Sequence, residues 1–240
     1  ALGLYSIANQ LAFTPVEKMS YVIPQVAFPA FSKLQLDVRA YAENFLKGLK
    51  LLNLIFIPCY IMVFVLAEDI VNVLLGPKWV EIISPMRILC IVMPLRAFEV
   101  IFIPAMNGLG KSNITMLTSG ISLFIMLCAF FVGLNWGYIG LCWAWVGGFT
   151  VIYTIMIGMC IRYLQVNTAD IARSYKTPLI ASAGVLIMGL LLMNNYQHVM
   201  HPLLKITAFL TASLLMYSAS VFYIDRPVVA YLKNILVIRK

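Results

Sequence analysis

Seven stretches of this chain are apolar over about the length that crosses a bilayer, and few folds survive that constraint. They cover residues 3–31, 46–66, 86–107, 114–134, 138–161, 179–193 and 203–224. A helix rising 1.5 Å per residue needs about 20 apolar residues to span a hydrocarbon core about 30 Å thick. Lipid offers the backbone no hydrogen-bond partner, so the amides must be satisfied within helices or a closed barrel. Stretches this long and evenly apolar, without alternation, select helices. The expected fold is all-α and integral to the membrane, with about seven transmembrane helices. Composition agrees. Hydrophobic residues make up 62% of the 240 and charged residues only 11%, with mean hydropathy +0.95. A soluble domain is about 45–50% apolar and about 25% charged.

The charges that remain are unevenly placed. Lys33, Arg39, Lys47 and Lys50 follow the first stretch, and Lys111 follows the third. Arg162, Arg173 and Lys176 follow the fifth, and Arg226, Lys233, Arg239 and Lys240 follow the last. These are alternate connections, so twelve of the 17 basic residues share one side. Lys78, Arg87 and Lys205 fall on the other. Positive residues collect on the cytoplasmic side of short loops, which puts the C-terminus inside and the start of the first stretch outside. The asymmetry accounts for the net charge of +8 without a nucleic-acid partner, for which no basic face or recognition motif is present. An outside start with no initiator Met and no signal peptide is expected of a piece of a longer protein.

Motifs for soluble chemistry are weak. Cys59, Cys90, Cys128, Cys142 and Cys160 all lie in apolar stretches without paired spacing, and read as small buried hydrophobes. The run from Asn107 to Ser112 imitates a phosphate loop. The first glycine of that spacing is Ala105 here, and no strand precedes it, so a tight turn is expected. His198 and His201 have no acidic or thiol neighbours in sequence, so no metal site is expected. No nucleophile–base set is visible, and no catalytic residue is expected. Gly140, Ala144 and Gly148 repeat every four residues, a stripe suited to close helix packing. Pro15, Pro24, Pro29, Pro58, Pro94 and Pro104 are expected to bend or break the first three helices.

Two cations stand where cations are costly. Lys18 and Arg96 lie near the middle of apolar stretches, where insertion costs at least about 2.5 kcal/mol. Such residues usually face a bundle interior or a water-filled path, so both are candidate substrate contacts. Glu99 is three residues from Arg96 and shares its helix face. The pair fits either an internal salt bridge or a charge pair lining a pathway. Glu17 adjoins Lys18 but diverges from it by about 100° on a helix. Glu17 and Glu99 are pathway or ion-coupling candidates, with H+ or Na+ as the possible coupling ion and no other cofactor.

Five segments resemble a known family. LGLYSIANQ at 2–10, VAFPAFSKLQ at 26–35, IVNVLLGPKW at 70–79, NGLGK at 107–111 and WGYIG at 136–140 occur in the order found in polysaccharide exporters. These are the Wzx-type O-antigen and exopolysaccharide flippases of the multidrug/oligosaccharidyl-lipid/polysaccharide (MOP) superfamily. The resemblance implies the C-terminal half of a MATE-like transporter with two helix bundles. Residues 1–162 would supply most of the second bundle, about five spans. Residues 163–240 would be a terminal two-helix extension with a cytoplasmic tail, and the N-terminal bundle would lie outside this chain.

The resemblance implies alternating-access translocation of a polyprenyl-diphosphate-linked oligosaccharide across the bacterial inner membrane, for lipopolysaccharide or exopolysaccharide synthesis. It implies membrane lipids and the other half of the protein as partners, and no enzymatic step. A drug or cation antiporter of the same superfamily is the first alternative. A membrane glycan polymerase or ligase is the second. It would draw on Glu68, Asp69, Lys78 and Glu81 in an outer connection at 67–85.

Overall fold

The computed structural model describes residues 2–195 and 202–225, and all of its regular structure there is helical. Seven α-helices are present among the described residues. They are α1 (Leu2–Lys33), α2 (Val38–Leu74), α3 (Ile83–Gly108), α4 (Ser112–Gly133), α5 (Gly137–Leu164), α6 (Thr168–Asn195) and α7 (Pro202–Ile224). Short 3-10 segments, Pro77–Ile82 and Leu134–Trp136, lead into α3 and α5. Five stretches are long and apolar enough to cross a membrane, and one of them, Ser112–Leu164, holds both α4 and α5. The chain is a multi-pass membrane protein. His198, His201 and the basic residues from Arg226 onward lie outside the described residues.

The boundaries have local causes. Asp37 caps α2, its carboxylate oxygen accepting from the Ala40 amide at 2.9 Å, the usual remedy for orphan amides at a helix start. The tight turn expected after α3 is present, with Gly110 at φ 70°, a conformation that favours glycine. The prolines, expected to bend or break their helices, break none of them: α1 runs through Pro15, Pro24 and Pro29, α2 through Pro58, and α3 through Pro94 and Pro104. One expectation fails. The expected outer connection at 67–85 is mostly helical, because α2 continues to Leu74 and a 3-10 segment follows.

α3 is the hub. It packs against α1, α2 and α5, and its Leu89, Met93, Phe98, Phe102 and Met106 are buried. α1 meets it through a small-residue row, Ala8, Ala12 and Val16, one helical turn apart. α4 forms a hairpin with α5, while α6 and α7 pack together and against α2. The glycine stripe makes the hairpin tight: a Cβ on Gly140 would stand 2.0 Å from the Gly133 carbonyl oxygen. The outer face of α4 is inverted relative to a soluble protein, with Phe124, Leu127 and Phe131 exposed. Cys128 is exposed on the same helix, contrary to the expectation of burial, whereas Cys90, Cys142 and Cys160 are buried.

Long-range polar contacts agree with alternating helix directions. Near the basic-loop end, Lys50 pairs with Asp225, which also accepts from the Thr177 hydroxyl at 2.9 Å. At the opposite end Lys205 of α7 pairs with Asp69 of α2 at 3.0 Å. Between them the Tyr217 hydroxyl donates to the Leu54 carbonyl at 2.8 Å.

Candidate functional site

Arg96 stands where α1, α3 and α5 converge, and aromatic rings surround it. Its guanidinium carbon is 4.3 Å from the Phe13 ring centroid, 4.4 Å from that of Trp145 and 5.7 Å from that of Phe149. Trp145 and Phe149 are one turn apart on α5, so their rings form one wall. Phe13 forms the other, on a face of α1 that also carries Tyr5 and Asn9 at four-residue spacing. The box is held from outside. The Trp145 indole N–H donates to the Tyr5 hydroxyl at 2.6 Å, and Phe130 of α4 packs edge-on against the Trp145 ring at 5.5 Å. The Tyr60 hydroxyl of α2 donates to the Ala12 carbonyl at 3.0 Å, fixing α1 beside the box.

Ring faces attract a cation through their quadrupole, by about 0.5–2 kcal/mol per contact depending on desolvation. Three such faces offset part of the cost of holding a guanidinium among apolar helices. They do not satisfy its donors. The Arg96 Nε is buried without an acceptor, and the Asn9 Oδ1 is buried without a donor. An unmet buried donor carries a desolvation penalty of about 1–3 kcal/mol. The box therefore holds Arg96 charged and partly unsatisfied, a state that an incoming oxyanion relieves.

Among the described residues Arg96 and Glu99 do not close into an ion pair, although both are partly buried on α3. The rings, not the carboxylate, are the close partners of Arg96. Lys18 and Glu17 lie one turn beyond Phe13 on α1. Glu17 is partly buried and Lys18 is exposed, and neither makes a hydrogen bond or ion pair among the described residues. From Lys18 to Val26 α1 exposes much of its surface, including Tyr21, Val22 and Val26, before Phe31 returns to the core. Lys18 is therefore not brought into contact with Arg96, but stands on an open face one to two turns from the box. Sequence reading missed Phe13, Trp145 and Phe149. The four-residue spacing of Trp145 and Phe149 was a signal for a shared face, but not for what that face meets.

Residues 1–84 match the family profile described as polysaccharide biosynthesis protein. Over 95 residues the chain is 35% identical to the lipopolysaccharide biosynthesis protein WzxC of Escherichia coli K12, covering 40% of this chain and 19% of that protein. It is 34% identical over 95 residues to a membrane protein in the cps region of Klebsiella pneumoniae, covering 40% of this chain and 20% of that one. The teichuronic acid biosynthesis protein TuaB of Bacillus subtilis 168 is 32% identical over 96 residues, again 40% of this chain and 20% of the relative. The matched segment spans about a fifth of the length of these curated relatives. No solved structure matches the chain. The matched third carries α1, α2 and the 3-10 segment, and over it this helical membrane protein is similar to Wzx-type polysaccharide biosynthesis proteins.

Proposed function

We propose that this chain is the C-terminal part of a flippase that carries a polyprenyl-diphosphate-linked oligosaccharide across the bacterial inner membrane by alternating access. The observation that carries the reading is Arg96, a cation set among apolar helices with a buried, unpaired Nε, in a chain whose residues 1–84 match the polysaccharide biosynthesis profile. A diphosphate crossing a membrane needs fixed positive charge where water is scarce. Arginine supplies paired, charge-assisted hydrogen bonds to phosphate, and lysine supplies a point charge. In this reading Lys18 on the open face of α1 meets the head group first, and Arg96 leaves its rings to take up a phosphate oxygen. Glu17 and Glu99 are the sites where H+ or Na+ couples to the cycle.

In this reading residues 1–162 supply most of one bundle, residues 163–240 supply a terminal extension whose α6 and α7 pack beside α2, and the facing bundle comes from outside this chain. The basic-loop end faces the cytoplasm, as does the C-terminus. The protein works as a transporter rather than an enzyme.

The antiporter alternative asks the aromatic box to hold an organic cation, but Arg96 already occupies it. The polymerase alternative loses its extended outer connection to helix. The test is Lys18→Ala and Arg96→Ala in the intact protein, with membrane insertion checked in parallel. Loss of surface glycan at normal insertion is expected. Normal surface glycan in both variants overturns the reading, and drug sensitivity without glycan loss transfers it to an antiporter.

A further inference from the structure

A second charged feature lies at the opposite end of α3 from the basic loops, well away from the aromatic box. Arg87 sits in the second turn of α3, with its Nη2 3.9 Å from Oε2 of Glu68 on α2. That separation exceeds hydrogen-bond reach. The Arg87 Nε and Nη2 are both buried without a hydrogen-bond partner. The guanidinium lies 6.0 Å from the Phe64 ring centroid. These residues and Ser84 line a groove of about 510 Å³ that continues past Ile88 and Ile91. Phe64 and Ile91 also line a second groove of about 460 Å³ between α2, α3 and α6, walled by Tyr60, Ile61, Pro94 and Leu179. The two grooves adjoin at those side chains, one giving a charged mouth and the other an apolar floor, and are treated as one slot.

The depths match a lipid. At 1.5 Å per residue, Arg87 lies about 6 Å below the start of α3, Ile91 about 12 Å and Pro94 about 17 Å. The charged mouth is therefore at head-group level, and the floor lies in the hydrocarbon layer. The mouth is electrically balanced, with one guanidinium and one carboxylate held close but not joined. A purely anionic head group would meet Glu68 with a like charge. A quaternary ammonium would bring Glu68 no N–H donor. A head group carrying both a phosphate and a primary ammonium satisfies each side.

We propose that this slot binds a single glycerophospholipid with an amine-bearing head group, its phosphate on Arg87 and Ser84, its ammonium on Glu68 and one acyl chain along Ile91 and Pro94.

The test uses the intact protein in nanodiscs of phosphatidylethanolamine, phosphatidylglycerol and phosphatidylcholine, with bound lipid counted by native mass spectrometry. Phosphatidylethanolamine is expected to be retained preferentially. Arg87→Gln removes charge-assisted hydrogen bonds worth about 1.5–3 kcal/mol, so retention falls about tenfold or more. Glu68→Gln, at a half-exposed position that folding tolerates, moves the preference toward phosphatidylglycerol without emptying the slot. Ile91→Trp fills the slot and displaces every phospholipid. Equal retention by Arg87→Gln, or an unchanged head-group preference in Glu68→Gln, overturns the proposal. So does inorganic phosphate that occupies the site as tightly as lipid and is indifferent to Ile91→Trp, because the ligand is then a free anion. Absence of retained lipid in the wild-type protein overturns it as well.

Discussion

Tyr217 donates its hydroxyl to the carbonyl of Leu54 at 2.8 Å, and Leu54 is four residues before Pro58. A proline has no N–H to return to the carbonyl one turn back. In lipid that carbonyl has no water to turn to, and side chains of neighbouring helices commonly satisfy it. α7 thus supplies the hydrogen bond that the sequence of α2 withholds. The bond meets a carbonyl that the helix's own ladder leaves open beside Pro58.

Tyr217→Phe leaves the Leu54 carbonyl unmet, at an expected cost of about 1–2 kcal/mol. Pro58→Ala restores the helical N–H, so the same Tyr217→Phe change in that background is expected to cost markedly less. Thermal unfolding of the four proteins in detergent gives the double-mutant cycle. Equal losses in both backgrounds would refute the link.

Lys205 and Asp69 have side chains only 16% and 12% exposed. Breaking such a pair from one side strands a buried charge and typically costs about 3–5 kcal/mol. Lys205→Met and Asp69→Leu are each expected to lower the melting temperature strongly, and the double variant to recover much of the loss. A double variant as unstable as the sum of the singles would argue against a paired burial.

Gly140→Ala places a methyl against the Gly133 backbone, which has no flexible end to yield, and is expected to cost about 1–3 kcal/mol by overpacking. Gly147→Ala is the control. A Cβ there meets nothing within 4 Å, and alanine is the better helix former by up to about 1 kcal/mol. Opposite signs in thermal stability are expected, and equal effects would remove the close-packing account of the hairpin.

Arg96→Lys keeps the charge but loses the flat guanidinium that stacks on Phe13 and Trp145. A loss of about 0.5–2 kcal/mol is expected, along with a change in Trp145 emission. Phe13→Leu should reduce both differences. An Arg96→Lys variant with unaltered fluorescence and stability would show that the stacking carries no weight.

How much of this was legible in the residues depends on the range of the interaction. The helices were, because each apolar stretch is a local record of what surrounds it. The glycine stripe was, because its spacing sets a face. The partners across helices were not. Arg96 has a carboxylate three residues away, and proximity along the chain fits either a salt bridge or a charge pair lining a pathway. Its nearest partners are Phe13 and Trp145, whose approach is fixed by how α1 and α5 lean on α3. Lys205 reads from the sequence only as one of three cations on the less basic side, and its partner Asp69 falls in the expected outer connection at 67–85. That part of α2 is less apolar than its middle, and only packing against α7 reveals that it stays helical. The prolines read as bends or breaks, and the donor that meets the carbonyl freed by one of them, Tyr217, is 163 positions from that carbonyl.

Fastened to α2 at Asp69, Leu54 and Lys50 through its own Lys205 and Tyr217 and through Asp225 just after its end, α7 acts as a splint along that helix. A splinted helix neither slides against its neighbour nor folds at its proline. Pro58 has the chemistry of a hinge without its freedom. The carbonyls that Pro15, Pro24 and Pro29 leave behind, those of Leu11, Ser20 and Gln25, receive no such side chain among the described residues. In mechanical terms α2 and α7 are the stiff spar of the molecule, and the compliant member is α1, the helix that bears Lys18.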